Sequence, residues 1–205
     1  MGPGWCLSRS RGLIWHGYET NWFGKPFWMI IRRLEAADSI GELTALLHAA
    51  YAILGQLGFN YTAVDQSEAV TRDRIARGDC IVATDADRLI GTLTFMAPGR
   101  CWPGTPLYQR PDVAVLGQFG VHPDYQRRGV GLLLLRESEQ MAERWGASEL
   151  ALDTSEGADH LIDWYRRQGY RIVEQAQWEN KTYRSVIMSK YLGDRELRPK
   201  ARQNS

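Results

Sequence analysis

The sequence has few of the features that define several classes of protein. Its three cysteines, Cys6, Cys80 and Cys101, are few, odd in number and not at the spacing of a disulfide framework or a zinc site. No apolar run reaches the ~18 residues needed to span a bilayer, and a net charge of +1 gives no nucleic-acid or membrane signal. We therefore expect a protein of the reducing cytoplasm without metal, nucleic-acid or membrane partners.

The residues that are present divide the chain into three parts. Residues 1–28 are rich in glycine, tryptophan and arginine, lack the apolar core of a signal peptide and have no helical or strand period, so we expect an unstructured extension. Because a first strand follows Met29 at once, we hypothesise that translation begins at Met29. Residues 29–192 have the ordinary composition of one folded domain. Residues 193–205 are charged and poor in apolar residues, which predicts a disordered tail.

The stretch from Val113 to Gly146 has the pattern of a strand, a turn and a helix. Residues 113–121 carry almost no charge on either alternating face, as in a strand that is buried on both sides. Pro123 ends this strand because it has no N–H to give to a ladder. Apolar residues then recur at helical spacing, so that a helix begins near Gly129 and Gly146 supplies its left-handed end.

The junction between this strand and helix, QRRGVG, has the features of an anion site. The first turn of a helix has N–H groups without partners and a partial positive charge. Gly129 and Gly131 remove side chains that would keep a diphosphate from the backbone, and Arg127 and Arg128 add charge. The alternative is a tight turn with close helix packing. No third glycine completes a dinucleotide fingerprint, and no lysine followed by serine or threonine completes a P-loop.

The full string VHPDYQRRGVG resembles the acetyl-CoA motif of the GCN5-related N-acetyltransferases (GNAT). Gln126, Gly129 and Gly131 fall on the fixed positions of that motif, and the resemblance covers residues 30–192. It implies an N-acetyltransferase that uses acetyl-CoA as co-substrate, without a metal, by direct attack of an amine in a ternary complex. The residues implied to contact CoA are Phe119, Gly120, Val121, Gln126, Arg127, Arg128, Gly129, Val130, Gly131 and Leu132.

The remaining patterns predict an α/β (α+β) fold of the GNAT type. It has one mixed, mostly antiparallel sheet of about six to seven strands, with helices on both faces. The expected strands are 30–34, 80–84, 89–96, 113–121, 149–153, 170–178 and 183–192. The expected helices run from Asp38 or Ser39 to Gly55, from Ser67 to Arg77, from Gly129 to Gly146, and from Thr154 or Ser155 to Gly169.

The resemblance also implies two catalytic residues. In WYRRQGY, Tyr165 falls on the tyrosine that protonates the departing thiolate, a role for which a phenol is suited. The alternative is a core aromatic with its hydroxyl satisfied. Asp153, twelve residues earlier, falls where the ribosomal-protein alanine acetyltransferases have a glutamate base; alternatively it ends a strand and caps the next helix. Two positions depart from the family: Gln118 stands where some members have a glutamate, and Ala158 where a CoA-contacting asparagine is expected.

The resemblance implies that the loop after the first helix lines the acceptor pocket, and the last hairpin is expected to supply another wall. Asn60 and Tyr61 belong to that loop, and Trp178 and Tyr183 to the hairpin; each set is alternatively a connector or a cover of the sheet. Tyr108 is either a substrate contact or part of a self-packed loop.

We expect a small-molecule primary amine as the acceptor, and a homodimer is one expected state. The alternatives are an acetyltransferase directed at protein or tRNA, and a CoA-binding regulatory module that transfers nothing.

Overall fold

The computed structural model describes residues 15–20, 26–101 and 104–193, which form one sheet with helices on both faces. The strands within them are β1 Trp15–Thr20, β2 Pro26–Arg33, β3 Asp79–Asp85, β4 Arg88–Met96, β5 Val113–Val121, β6 Glu149–Ser155, β7 Arg171–Ala176 and β8 Ser185–Tyr191. The α-helices within them are α1 Ile40–Gln56, α2 Glu68–Ile75, α3 Val130–Arg144 and α4 Asp159–Arg167. The fold class predicted from the sequence is confirmed.

The strands lie in the order β1-β2-β3-β4-β5-β6-β8-β7, and neighbours are antiparallel except β5 and β6. A parallel pair needs a crossover connection, which α3 supplies. The parallel ladder joins only residues 113–115 of β5 to residues 149–151 of β6. Beyond it β5 stays paired with β4 and β6 with β8, so the two central strands separate and open a cleft within the sheet.

Both faces of the sheet are covered by helices. Ile81 of β3 lies in the same apolar cluster as Leu134 of α3, whereas its neighbour Val82 lies in a cluster with Leu43 of α1. Since successive side chains of a strand point to opposite faces, α3 and α1 cover opposite sides of the sheet. Within the described residues, no helix has the length and apolar character needed to cross a membrane.

The N-terminal segment differs from the sequence prediction. Where the structure describes residues 1–28, they are extended: β1 pairs with β2 from Trp15 opposite Ile31 to Thr20 opposite Pro26. An edge strand is held by backbone hydrogen bonds and needs no apolar alternation, which is why its sequence has no strand period. This strand brings the sheet to eight strands instead of six or seven. The start at Met29 stays a prediction, and residues 194–205 of the expected tail lie outside the described part.

Most predicted element ends agree with the structure. The Oγ of Ser39 accepts a hydrogen bond of 3.2 Å from the N–H of Glu42 and caps α1. Gly146 and Gly169 follow α3 and α4 with φ of +72° and +91°. The predicted cap of α4 at Thr154 or Ser155 is wrong, because β6 stays paired with β8 as far as Ser155 and the helix begins only at Asp159.

A β-bulge interrupts β5 and changes the faces of its last residues. Opposite β4, Thr92 pairs with Gly120 but Thr94 with Gly117, so β5 contains one extra residue there. Gln118 takes it up with φ of +49°. After the bulge Phe119 packs on the α3 side with Leu116, although simple alternation assigns these two residues to opposite faces. The sequence showed no sign of this exchange, because a bulge leaves the apolar character of a buried strand unchanged.

Candidate active site

A cavity of about 340 Å³ lies beside the cleft where β5 and β6 part. Such a volume is at the lower end of the range for small-ligand pockets, roughly 300–1,000 Å³. Its walls come from α1, α2 and the loop between them, from β4, β5 and β6, from α4 and from the last hairpin. The lining residues with polar or aromatic groups include Tyr51, Tyr61, Asp73, Arg74, Arg77, Gln118, Phe119, Asp153, Tyr165, Trp178, Lys181 and Tyr183.

The loop predicted to bind diphosphate connects β5 to α3. Arg127 and Gly129 both have left-handed backbone, with φ of +61° and +82°. Left-handed residues that interrupt right-handed backbone turn neighbouring N–H groups toward one point, a geometry typical of anion sites. No acidic side chain lies in the first turn of α3, and Gln126, Arg127 and Arg128 are exposed. These features suit an anionic ligand.

The loop meets the end of β5 and α4. A Cβ at Gly131 would lie 3.6 Å from Cγ2 of Val121 and 3.8 Å from Cζ2 of Trp164, so the predicted CoA contacts come together. Val130 is buried in the core, which leaves only its backbone available to a ligand, while Leu132 is half-buried.

Gly120 has a structural reason different from the one expected. The resemblance implied that Gly120 contacts CoA. In the structure a Cβ there would lie 2.9 Å from Cβ of Ala50 and 3.5 Å from Cε2 of Tyr51, both on α1. The glycine therefore allows α1 to pack closely on β5.

Tyr165 lies on α4 with its ring buried and its side chain on the cavity wall. The ring makes edge-on contacts with Trp164 and Tyr170, at centroid distances of 5.0 and 5.8 Å. Its hydroxyl makes no hydrogen bond to any other residue that the structure describes. The pKa of Tyr165 is raised well above its usual value, mainly by burial, so the hydroxyl keeps its proton. The alternative of a core aromatic with a satisfied hydroxyl does not fit this geometry.

Asp153 lies in β6, half-buried at the cavity wall. Its Oδ2 accepts hydrogen bonds from Nε1 of Trp178 at 3.0 Å and from Oγ of Ser185 at 3.3 Å, and its Oδ1 accepts one from the Tyr108 hydroxyl at 3.3 Å. Burial raises the pKa of Asp153, and the three donors oppose that rise. The alternative that Asp153 caps α4 is wrong, since α4 begins six residues later at Asp159.

Three of the four residues predicted to contact the acceptor line the cavity. The rings of Tyr61 and Tyr183 lie 4.8 Å apart, and Trp178 stacks on Tyr108 at 6.3 Å. The Tyr61 hydroxyl is anchored to β6, since it accepts from the N–H of Ser155 at 2.6 Å.

Asn60 does not line the cavity, contrary to the prediction. Its amide joins the loop after α1 to the turn between β7 and β8, donating to the carbonyl of Asn180 at 2.8 Å and accepting from the N–H of Thr182 at 2.9 Å. Asn60 therefore positions the loop from which its neighbour Tyr61 contributes to the cavity wall.

The sequence interpretation missed Tyr51, Arg74 and Lys181, all of which line the cavity. Tyr51 donates a hydrogen bond of 3.0 Å to the carbonyl of Phe119 at the bulge. Arg74 follows the buried Thr71 by three residues on α2 and is only half-exposed. That spacing on a helix was the available signal, because it puts a cation on the inward face.

The fold is similar to that of several solved structures. The ribosomal-protein-S18-alanine N-acetyltransferase from Escherichia coli has a TM-score of 0.59 and 18% identity, and the match covers 84% of this chain and 99% of that one. A GNAT family acetyltransferase from Elizabethkingia anophelis, solved with acetyl-CoA bound, has a TM-score of 0.58 and 16% identity, covering 80% and 97%. At these identities the likeness establishes the fold alone.

The sequence places the chain in the same class. Residues 44–170 match the model of the acetyltransferase (GNAT) family, which is more than half of the chain, and the protein belongs to that family. The membership predicted from the sequence is confirmed. The chain is also 24% identical over 108 residues to the uncharacterized N-acetyltransferase YvbK of Bacillus subtilis (strain 168). The matched region is 53% of this chain and 63% of the length of that relative.

Proposed function

We propose that the protein transfers the acetyl group of acetyl-CoA to the primary amine of a small molecule, by direct attack in a ternary complex. The observation that carries the proposal is the presence of two matched groups on one cavity. Tyr165 presents a buried, protonated hydroxyl without a hydrogen-bond partner among the described residues, and Asp153 presents a carboxylate whose pKa is raised. Groups that give and take protons at one site suit the attack of an amine on a thioester.

The chain has a surface that fits acetyl-CoA. The loop from Gln126 to Gly131 offers left-handed backbone, two exposed arginines and a helix N-terminus to a diphosphate. Residues 116–121 of β5 have no described strand partner on the side that faces β6, so backbone groups there that no side chain occupies are open to an arm that contains amides. The carbonyls of Phe119 and Val121 already accept from Tyr51 and Gln126. When bound, acetyl-CoA supplies the acyl group as a thioester.

Each catalytic group has one task in this proposal. Asp153 takes a proton from the ammonium form of the acceptor, directly or through water, because an alkyl ammonium with a pKa near ~10.4 cannot attack. Backbone N–H groups between Phe119 and Val121 stabilise the developing oxyanion. As the new C–N bond replaces the C–S bond, Tyr165 donates its proton to the sulfur. The high pKa that burial gives Tyr165 keeps this donor protonated across the physiological range.

Direct transfer is favoured over an acetylated cysteine. Burial raises the pKa of both Cys80 and Cys101 to about 11, and neither lines the cavity. A nucleophilic cysteine needs a lowered pKa and access to its substrate. The reasoning covers these two described cysteines.

The test is the release of CoA thiol from acetyl-CoA by the full chain, with polyamines, aminoglycosides, amino acids and peptides as acceptors. We expect turnover with one class of small amines and initial-rate patterns that intersect, as a ternary complex requires. Parallel patterns would contradict direct transfer. Saturable acetyl-CoA binding without turnover of any acceptor would favour the regulatory module, and turnover of peptides or aminoacyl-tRNA alone would favour a macromolecular acceptor.

A further inference from the structure

The cavity has an excess of positive charge. Three cations, Arg74, Arg77 and Lys181, and two carboxylates, Asp73 and Asp153, line it. Arg77 and Asp73 form an ion pair on the exposed surface of α2. Arg74 and Lys181 form no ion pair with any described residue. Both residues are half-buried, and partly desolvated cations without an ion pair suit an anionic ligand.

Arg74 has hydrogen-bonding capacity to spare. Its Nη1 donates to Oε1 of Gln66 at 2.8 Å, which is one use of the five N–H donors that a guanidinium carries. The amide of Gln66 is fixed in that orientation, because its Nε2 donates to Oε1 of Gln118 at 2.9 Å and to Oγ1 of Thr71 at 2.7 Å. The guanidinium is thus held at the cavity wall by a neutral chain that leads to the bulge of β5.

Lys181 reaches the same cavity from the turn between β7 and β8. Its Nζ donates to the carbonyl of Asn60 at 2.7 Å and to Oγ1 of Thr62 at 2.9 Å, which leaves one of the three ammonium donors. Burial lowers the pKa of Lys181, and the repulsion of Arg74 lowers it further. The two cations are therefore close enough to interact. The carboxylates of Asp65 and Asp153 oppose this lowering, and an anion between the two cations would likewise favour the charged lysine.

These cations are separate from the predicted diphosphate site. None of residues 126–132 lines the cavity, whereas Arg74 and Lys181 do so together with Asp153. Asp153 also interacts electrostatically with both of them. The anion that they would bind therefore belongs to the acceptor side of the cavity.

Resting on the function proposed above, we propose that the acceptor is a free amino acid whose carboxylate is bound by Arg74 and Lys181. Its amine then lies toward Asp153, which is within electrostatic reach of both cations. The small volume of about 340 Å³ favours a single amino acid over a peptide. The aromatic walls at Tyr61, Trp178 and Tyr183 suit an apolar side chain.

The first test compares matched acceptors. The twenty proteinogenic amino acids are assayed by thiol release, and each one that is acetylated is compared with its amide and with its decarboxylated amine, such as leucine, leucinamide and 3-methylbutylamine. We expect kcat/KM for the acid to exceed that for the uncharged analogues by about 10- to 100-fold, the range of a charge-assisted hydrogen-bonded contact. Equal or faster turnover of the uncharged amines would overturn the proposal, although the proposed function would stand.

The variants Arg74→Gln and Lys181→Met separate the charge from the rest of the cavity. Each should lower the ratio of kcat/KM for the acid to kcat/KM for the decarboxylated amine by about 10-fold or more. Arg74→Lys should restore part of the loss, since it keeps the charge but not the fork. Arg72→Gln is the matched control on the same helix, because Arg72 is exposed and does not line the cavity. An equal loss on both kinds of acceptor would contradict a carboxylate contact.

A binding experiment tests the anion site independently of catalysis. The melting temperature of the full chain is measured with each amino acid in the absence of acetyl-CoA. At least one should stabilise the wild type and the Arg72→Gln control but not Arg74→Gln. If none stabilises the wild type and none is acetylated, the proposal is wrong. If amino acids bind through Arg74 but acetyl-CoA neither binds nor releases thiol, the proposed function fails and the anion site stands.

Discussion

The indole Nε1 of Trp178 donates a hydrogen bond of 3.0 Å to Oδ2 of Asp153, which joins the last hairpin to the centre of the sheet. This contact favours the ionised carboxylate and so lowers the pKa that burial raises. A residue predicted to be a wall of the acceptor pocket therefore also adjusts the proposed base.

Replacing Trp178 with phenylalanine removes the donor and keeps an aromatic ring. The pKa of Asp153 should then rise further, and the acid limb of the pH profile of kcat/KM should move to higher pH. Thiol release measured across the pH range tests this expectation. Trp145→Phe is the control, because Trp145 is 49% exposed and lies at the end of α3. An unshifted profile in Trp178→Phe would separate Asp153 from the rate-controlling ionisation.

Asp153→Asn should lower kcat by about 100- to 10,000-fold if the carboxylate is the base. The amide keeps the size of the side chain but cannot take a proton from an ammonium. The loss should shrink as the pH approaches the pKa of the acceptor amine, where the free amine is present without a base. Thiol release followed from neutral to alkaline pH measures this convergence. A loss that stays the same at every pH would point to a role in binding instead.

The same variant should change how stability depends on pH. The folded-state pKa of Asp153 lies above the unfolded value of ~3.9, so its neutral form stabilises the fold fully below ~3.9 and that contribution is lost as pH rises through the folded pKa. Asp153→Asn has no carboxyl group to ionise and so lacks this loss. Its free energy of unfolding should therefore increase relative to that of the wild type as pH rises from ~3.9 through the folded pKa of Asp153. Urea unfolding at a series of pH values measures it. Asp163→Asn, with a carboxylate on the exposed face of α4, should follow the wild type.

Tyr165→Phe should lower kcat by about 100- to 10,000-fold while the dissociation constant of acetyl-CoA changes little, because the hydroxyl acts as the bond to sulfur breaks. Thiol release and equilibrium binding measure the two effects. Tyr170→Phe is a matched control. Its ring packs against Tyr165 at 5.8 Å, but its hydroxyl donates to Glu139 outside the cavity. An unchanged kcat in Tyr165→Phe would remove the residue from the mechanism.

Gly131→Asp tests the diphosphate loop without harming the helix. A carboxylate in the first turn of α3 is favourable to the helix dipole, and a Cβ there meets only contacts of 3.6 Å or more, so the melting temperature should stay the same or rise. The charge should repel the diphosphate and weaken acetyl-CoA binding by about 100-fold or more. Gly131→Asn, of the same size without the charge, should lose much less. Equal binding by the two variants would show that no anion lies there.

The sequence was most informative where the chemistry is local. The helix that begins at Gly129, the buried strand 113–121 and the capping by Ser39 follow from residue types at neighbouring positions, and the structure has all three. The likeness to the GNAT motif then supplied the fold. Tyr165 and Asp153 were found by that likeness, since nothing in their own neighbourhoods distinguishes them from core residues.

Other features depend on contacts that are distant in sequence. Asp153 meets Tyr108 and Trp178 only after three segments come together, and the exchange of faces at Gln118 results from pairing between β4 and β5. Arg74 of α2 and Lys181 of the last hairpin come together only at the wall of one cavity. No periodic pattern in the local sequence predicts contacts between segments so distant in the chain.

The separation of β5 from β6 affects where the open edge of β5 lies in the sheet. An open strand edge at the rim of a sheet is a template on which another chain can add and aggregate. Here the open edge of residues 116–121 lies inside the sheet. β5 is fixed by β4 on its other side, and β6, across the cleft, is fixed by β8. Because strands lie on both sides of that edge, it is not presented at the rim of the sheet, where another chain could add to it.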